Sequence, residues 1–400
     1  VEGYRTDVRV VCTTLLDATW YIDQMKIKAY ESEALKIRFD HKQYLANKMQ
    51  IAVIMPSIDE RFDLDTIMNF IASDHPATKF EENPDVVRIP TNKFSISVNK
   101  DKVLKNGTVS QKFSNEIVTE IPIDVKANQL DRKTLIMFDI IANNNWDRPI
   151  YFSAGDVSDE GLLWLKDYLQ LSGLVYKLVP VKANITPNGD PFNIGTIDSE
   201  KLYKTVTNLY WGNFDSPTIY HDPQTRKEAL MFKIQLRRLA EQLIIEEKFD
   251  KAEVILDLAV NKFPLKYYKP YSELQYELVE PFADLYYAIN KKDKAAALAV
   301  ELFTKSEEKL LFYKGMKPAE QNQYGYEIIE TFNTAYRIID NCEMHKDAKT
   351  VTALNKRILP YEKYFKRYLD AYEQQKAEQL EYERQMKQQE QERLKDSVLE

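Results

Sequence analysis

The first half of the chain alternates short β-branched runs with stretches that follow the helical period. Such alternation is typical of helices layered on a sheet, and it predicts an α/β domain with a mostly parallel sheet. Asp63 and Asp131 each precede an amphipathic stretch, where N-cap residues belong. The predicted elements are a strand at 8–12, a helix at 20–27, a helix from Asp63, strands or loops at 86–98 and 103–125, a helix from Asp131 to about Asn143, a strand at 149–154, a helix at 159–171, a strand at 174–181 and a helix at 198–210. Residues 51–55 form another apolar run.

Beyond Pro217 to Pro223 only the helical period remains, and the pattern repeats after 43 residues. Helix pairs of this kind resemble tetratricopeptide-type repeats, lengthened beyond their usual ~34 residues. Each pair has an apolar face that it cannot bury alone, so the pairs are expected to stack. The matches are Ala240 with Ala283, Leu243 with Tyr286 and Asp250-Lys251-Ala252 with Asp293-Lys294-Ala295, and a looser third copy contains Ala335 and Lys346-Asp347-Ala348.

A final helix is predicted after Pro360, with one apolar stripe from Tyr361 to Tyr372. The stripe fades after Glu373 into Gln, Glu, Lys and Arg, which favours a solvated or fraying helix over a coiled-coil dimer. The sequence therefore predicts three parts: an α/β domain at 1–215, an all-α tetratricopeptide-like helical-repeat domain at 222–360 and a long C-terminal helix at 361–400.

Composition excludes several functional classes. The 400 residues carry a net charge of -7, which provides no basic field for a nucleic acid. The four histidines have no neighbour at metal-ligand spacing, and no phosphate-binding or dinucleotide-binding fingerprint occurs, so neither a metal nor a cofactor is predicted. Cys12 and Cys342 are predicted to be two free, buried thiols, and they leave the redox compartment open. No stretch of about 18 apolar residues, as a membrane span requires, is present.

Two groups of residues are candidates for ligand binding. Ligands of open α/β sheets gather beyond the carboxyl ends of strands, and Asp17, Trp20 and Asp23 follow the strand predicted at 8–12. Asp147 and Arg148 stand just before the strand predicted at 149–154. A tryptophan with carboxylates also suits a sugar ring. The structural alternative, which we favour, places Trp20 and Tyr21 in a core and pairs Arg148 with Asp147 or Asp156.

The pair Asp63 and Asp65 spells the D-x-D pattern with which some glycosyltransferases hold a metal and a nucleotide sugar. A match of three residues is common by chance, and both aspartates stand where a helix begins. Helix capping is therefore the preferred interpretation of this pair.

Three phrases of the sequence together resemble one family. They are Asp7 to Cys12 with Trp20-Tyr21-Ile22-Asp23-Gln24-Met25, then Asp147-Arg148-Pro149-Ile150-Tyr151-Phe152, and finally the stretch from Tyr168 to Pro180 with Gly173-Leu174 and Leu178-Val179-Pro180. Their order and approximate spacing resemble the soluble C-terminal part of bacterial membrane proteins of glycosyltransferase family 117 (domain-of-unknown-function family 2723), relatives of protein O-mannosyltransferases. One departure is Cys12-Thr13-Thr14, where that family has Asn-Leu-Ser or similar.

The resemblance implies a tail on the periplasmic side of the bacterial inner membrane, attached to a catalytic membrane half that precedes Val1. This region would bind an acceptor protein or peptide, or a partner, with a glycan as a further candidate, and would carry out no chemistry of its own. Two alternatives remain open: a soluble carbohydrate-active enzyme with a site at the strand ends, and a structural brace for the membrane half. Whether this chain is itself an enzyme stays undecided from its sequence.

Overall fold

A computed structural model describes residues 4–46, 48–153, 158–184, 193–270, 275 and 278–396, with side chains to 389. The chain divides into two compact units, Val1–Val206 and Thr207–Glu400, called unit 1 and unit 2 below. The division lies shortly before the domain boundary predicted at 215. Asp156 and the turn cluster at 186–191 lie outside the described residues.

Unit 1 is a mixed α/β unit, as the sequence predicts. Its described helices are α1 (Thr19–Met25), α2 (His41–Tyr44), α3 (Leu64–Ala72), α4 (Lys100–Lys105), α5 (Arg132–Asn144) and α6 (Ser199–Thr207), which ends one residue into unit 2. Its described strands are β1 (Ile51–Ile54), β2 (Phe62–Asp63), β3 (Val87–Ile89), β4 (Lys93–Ser97), β5 (Glu120–Asp124), β6 (Gln129–Asp131), β7 (Tyr151–Ser153), β8 (Leu169–Ser172), β9 (Val175–Leu178) and β10 (Thr196–Ile197).

The strands form three small mixed sheets, so the expectation of a mostly parallel sheet is wrong in this detail. Their orders are β3-β1-β6, β2-β4-β5 and β10-β8-β9-β7. The pairs β1–β3, β2–β4 and β8–β10 are parallel, and the other four described pairs are antiparallel. One physical reason is the length of the connections: Gly173 and Leu174 alone join β8 to β9, and a two-residue turn can only connect antiparallel strands.

Two predicted elements of unit 1 do not form. Residues 8–12 form no regular secondary structure and pair with no described strand, and the Cys12 N–H is satisfied by the Tyr21 hydroxyl at 2.8 Å. The helix predicted at 159–171 is replaced by turns, a 3₁₀ turn at Lys166–Tyr168 and strand β8. Leu163 and Trp164 both adopt positive φ, which no α-helix tolerates, and Trp164 then stacks on the buried Phe138 with the rings 6.4 Å apart.

The two predicted helix caps are confirmed. The Asp63 carboxylate accepts the Asp65 N–H at 2.9 Å at the start of α3, and the Asp131 carboxylate accepts the Thr134 N–H at 3.0 Å at the start of α5. Both bonds join residues within one helical turn, which explains why the sequence alone locates these two helices.

Unit 2 is all-helical over its described residues. Its helices are α7 (Pro223–Ile245), α8 (Phe249–Lys262), α9 (Pro281–Ala288), α10 (Lys292–Lys314), α11 (Pro318–Gln323), α12 (Gly325–Met344), α13 (Ala348–Tyr364) and α14 (Lys366–Asp396). Three helix pairs, α7/α8, α9/α10 and α12/α13, share one turn geometry. The backbone bonds that close these turns are Lys248 N–H to Leu243 O (2.8 Å), Lys291 N–H to Tyr286 O (2.8 Å) and Asp347 N–H to Cys342 O (2.9 Å).

The shared turn fixes how the three pairs correspond. Each turn has one residue with positive φ: Glu247 (58°), Asn290 (59°) and Lys346 (58°). The match between the first two pairs is therefore as the sequence predicts. Lys346-Asp347-Ala348 does open the second helix of the third pair, with Asp347 as its N-cap, but it stands three residues earlier than a counterpart of Asp250-Lys251-Ala252 would.

Three further expectations concern the C-terminal helix, the membrane and the cysteines. Pro360 lies inside α13, and the final helix begins only at Lys366, so the predicted start after Pro360 is wrong. No described helix is long and apolar enough to cross a membrane. Both cysteines are free; Cys342 is buried as predicted, whereas Cys12 is exposed.

Candidate functional site

A cavity of about 450 Å³ lies in unit 1 at the carboxyl ends of the parallel strands β2 and β4. We call it the strand-end pocket. It is lined by Lys36, Asp63, Leu64, Asp65, Ile96, Ser97, Ile141, Ala142, Asn143, Asn144, Asn145, Trp146, Ile150 and Leu178. Asp63 ends β2, Ser97 ends β4 and Leu178 ends β9, so the pocket stands where ligands of α/β sheets gather.

The two carboxylates at the N-terminus of α3, those of Asp63 and Asp65, accept hydrogen bonds from neighbouring groups. Besides capping α3, Asp63 accepts the Ser97 hydroxyl at 2.5 Å. Asp65 accepts the Arg38 guanidinium at 2.8 Å and the Asn69 amide at 2.9 Å. The Arg38 guanidinium also contacts Asp139, a fully buried carboxylate on α5. Burial raises the pKa of Asp139 to about 6, although Arg38 acts in the opposite direction.

The end of α5 forms the opposite wall of the pocket. Asn145 and Trp146 follow one another with positive φ of 41° and 61°, an unusual backbone for two residues other than glycine. Three hydrogen bonds hold this turn: Trp146 Nε1–H donates to Ser97 O at 2.8 Å, Asn106 donates to Trp146 O at 2.7 Å and Lys102 donates to Asn145 O at 2.5 Å. The turn thereby fixes Trp146, which is only 6% exposed, at the edge of the pocket beside Ser97.

Asp147 and Arg148, predicted from sequence, lie directly behind this wall. Asp147 forms an ion pair with Lys102 at 2.6 Å, and the hydrogen bond from Lys102 lowers the pKa of this carboxyl. Arg148 donates to the Ser32 hydroxyl at 2.9 Å and to Glu33 O at 3.2 Å, which ties the segment leading to Lys36 against the end of α5. Both side chains thus contact residues that support the pocket, and neither lines it.

Asp17, Trp20 and Asp23 lie elsewhere in unit 1. Asp17 accepts the backbone N–H of Lys133, at the start of α5, at 3.2 Å. Since α5 has 13 residues, its two ends are roughly 18 Å apart, and the structure does not bring Asp17 together with Asp147. Trp20 is 61% exposed and meets Tyr21 edge to face.

Asp23 is bound by two side chains of the α2 region. It accepts the Tyr44 hydroxyl at 2.6 Å and contacts His41 Nδ1 at 3.0 Å. Burial alone would raise the pKa of Asp23, but the hydrogen bonds from Tyr44 and His41 outweigh it, and the pKa is lowered. This carboxylate therefore stays ionised and fastens α1 to α2.

The residues that sequence reasoning missed are Lys36, Ser97 and the run Asn143 to Trp146. The run is visible in the sequence: three asparagines and a tryptophan interrupt the apolar pattern just where α5 ends. Lys36 and Ser97 carry no comparable signal, because they reach the pocket only through the fold.

A second cavity, of about 320 Å³, lies in unit 2 between α9 and α12, above α10. We call it the helix-pair groove. Its lining residues are Glu280, Pro281, Ala283, Asp284, Ala299, Leu302, Arg337, Ile338, Asp340, Asn341 and Met344. Since α9 and α12 are the first helices of successive pairs, the groove separates equivalent elements of neighbouring pairs.

The groove is acidic, and ion pairs and hydrogen bonds hold several of its charged side chains in place. Arg337 bridges to Glu280 at 3.3 Å, and His345 Nε2 lies 2.9 Å from Asp284, which also accepts the Asn341 amide. Behind it the His345 ring stacks on Tyr287 at 4.5 Å. Asp340 is exposed, and its side chain has no hydrogen-bond or ion-pair partner within the described part of the chain.

No group of three or more His, Cys, Asp or Glu among the described residues could hold a metal ion. Residues 1–201, half of the chain, match the family described as TMEM260-associated domain 2. The chain belongs to this family. Unit 1 therefore corresponds to a domain that is associated with a membrane protein. Among curated proteins and among solved structures nothing matches the chain.

Proposed function

We propose that this chain is the periplasmic accessory region of a bacterial membrane protein O-glycosyltransferase, and that it binds the acceptor polypeptide or a partner protein. The association of its family with a membrane protein supports an accessory role. The resemblance to glycosyltransferase family 117 supports the glycosylation context and the side of the membrane. In this proposal the tetratricopeptide-like helix pairs of unit 2 are the binding element.

The helix-pair groove is the observation that carries the proposal. Stacked helix pairs bind extended peptides along the surface formed by equivalent helices, and α9 and α12 are such helices. Its volume of about 320 Å³ suits one anchoring side chain. Pro281, Ile338 and Met344 provide apolar contact at the groove, and Met344 is 73% exposed.

Charge defines the segment that would fit. The lining of the groove contains three carboxylates, those of Glu280, Asp284 and Asp340, but only one guanidinium, that of Arg337. The first two carboxylates already have partners, whereas Asp340 is open to a ligand. We therefore propose an extended segment with an apolar anchor beside a basic or hydroxyl-bearing residue, since an acidic segment would be repelled.

The test is peptide binding to the whole chain, measured by fluorescence anisotropy with labelled peptides that contain Ser or Thr. Each peptide is made in a Lys-flanked and a Glu-flanked version. We expect the Lys-flanked version to bind more tightly, and we expect Asp340→Asn and Met344→Ala to weaken it. Glu343→Gln is the matched control, because Glu343 is an exposed carboxylate on α12 outside the groove. Equal binding of both versions, or equal loss in the control, would refute the groove as the binding element.

A further inference from the structure

We propose that the strand-end pocket of unit 1 binds a neutral saccharide unit through its hydroxyl groups. The inference concerns a different unit and a different ligand from the peptide groove, so it stands on its own observations. It rests on the charges, the open hydrogen-bonding groups and the apolar wall of the pocket.

The charge of the lining favours an uncharged ligand. Asp63 and Asp65 would repel an anion such as a phosphate or a carboxylate. A cation gains little from them, because Asp65 is already paired with Arg38 and Lys36 adds a further positive charge to the lining. A neutral molecule with many hydroxyl groups meets neither penalty.

The polar groups of the pocket can both donate and accept. A carboxylate has about four lone-pair sites, and the hydrogen bonds from Arg38 and Asn69 occupy only part of those of Asp65, which leaves acceptors for sugar hydroxyls. Lys36 and the side-chain amide of Asn145 have no hydrogen-bond partner among the described residues, and both are exposed at the pocket. A hydroxyl donates and accepts at once, so it suits such a mixed set better than a purely donating or purely accepting ligand.

Apolar residues line the pocket together with these polar groups. Ile96, Ile150, Leu178 and Trp146 line the pocket beside the polar residues. A pyranose ring has this same division, with C–H groups on its faces and hydroxyls around its edge. The volume of about 450 Å³ lies within the range of small-molecule pockets, so it has room for one or two sugar units.

The wall is also preorganised. The Asn145–Trp146 turn keeps two non-glycine residues in the left-handed region, a backbone conformation that is unfavourable for tryptophan in particular. The bonds from Lys102, Asn106 and the indole N–H hold that turn in place before any ligand arrives. A pocket fixed in this way loses little entropy on binding.

The experiment uses the whole chain labelled with 5-fluorotryptophan. The four tryptophans are Trp20, Trp146, Trp164 and Trp211, and a Trp146→Phe variant assigns the Trp146 resonance. The probes are the methyl glycosides of mannose, glucose and galactose and N-acetylglucosamine, followed by ¹⁹F NMR and by isothermal titration calorimetry. Inorganic phosphate and putrescine serve as the anionic and cationic probes.

We expect at least one sugar to bind saturably and to shift the Trp146 resonance, with no such shift from phosphate or putrescine. Lys36→Ala and Asn145→Gly should each weaken that binding roughly threefold to tenfold, the effect of losing one or two hydrogen bonds. Glycine at 145 tolerates the positive φ, so this variant keeps the turn. Lys182→Ala, an exposed lysine outside the pocket, should change nothing.

Three results would overturn the inference. They are the absence of saturable sugar binding up to the solubility of the probes, sugar binding that leaves Trp146 unshifted, and binding that survives both pocket variants with unchanged affinity. A shift of Trp146 by phosphate alone would assign the pocket to an anion instead. None of these outcomes bears on peptide binding in unit 2, which the Lys-flanked and Glu-flanked peptides test separately.

Discussion

Arg132 at the start of α5 is 3% exposed and binds three backbone carbonyls in two other segments of unit 1. Its guanidinium donates to Asp17 O at 2.6 Å, to Ala46 O at 3.0 Å and to Lys48 O at 2.5 Å. Replacing it with methionine keeps most of the side-chain volume and removes all three bonds. The three acceptors belong to exposed residues, so water can replace part of each bond. At about 1 kcal/mol per bond, Arg132→Met should lower the free energy of unfolding of unit 1 by about 3 kcal/mol.

The assay is urea unfolding of the fluorotryptophan-labelled chain. Trp20, Trp146 and Trp164 report on unit 1 and Trp211 on unit 2, so each unit is observed separately. Lys133→Met is the matched control, because the neighbouring ion pair of Lys133 with Asp131 is half exposed and contributes at most ~1 kcal/mol. The loss of unfolding free energy in Arg132→Lys should fall between those of the two methionine variants, since one ammonium group cannot reproduce the hydrogen-bonding geometry of the guanidinium. If Arg132→Met and Lys133→Met unfold at the same urea concentration, the three bonds do not stabilise the fold.

Three further predictions concern unit 2. Ala252→Leu should overpack the fully buried contact of α8 and destabilise unit 2 by about 1–3 kcal/mol, while Val254→Leu on the exposed face should not; equal melting temperatures would contradict this packing. Glu247→Gly should raise the melting temperature of unit 2 more than Asn290→Gly, because asparagine already tolerates the positive φ that both turns require. A larger increase for Asn290→Gly in a thermal scan would argue against backbone strain at Glu247. Burial lowers the pKa of Lys233 to about 8, so between pH 8 and 10.5 the unfolded chain binds more protons than the folded chain. The free energy of unfolding should therefore rise with pH by up to about 3 kcal/mol across this window. In urea titrations, Lys233→Met should abolish that rise.

Local signals in the sequence located most helices correctly. Asp63 and Asp131 are predictable as caps because the bonds they make close within one turn of the same helix. The turn between α7 and α8 and its counterpart 43 residues later are predictable as well, since both depend on a few neighbouring residues. The third turn is predictable too, since Lys346-Asp347-Ala348 opens α13, although its sequence lacks the Asp-Lys-Ala pattern of the other two at the equivalent position.

The strands and the pocket were decided by the tertiary structure. A β-branched run such as Val8 to Cys12 becomes a strand only if another strand lies beside it, and none does within the described residues. The strand-end pocket is lined by Lys36, Asp63, Ser97 and Asn145, which come from segments about 30 to 50 residues apart. No spacing of residues in the sequence therefore predicts the pocket. The sequence by itself determined where helices begin and turn, since those interactions are local. Which strands pair, and which polar side chains meet at their ends, depended on contacts that exist only once the chain has folded.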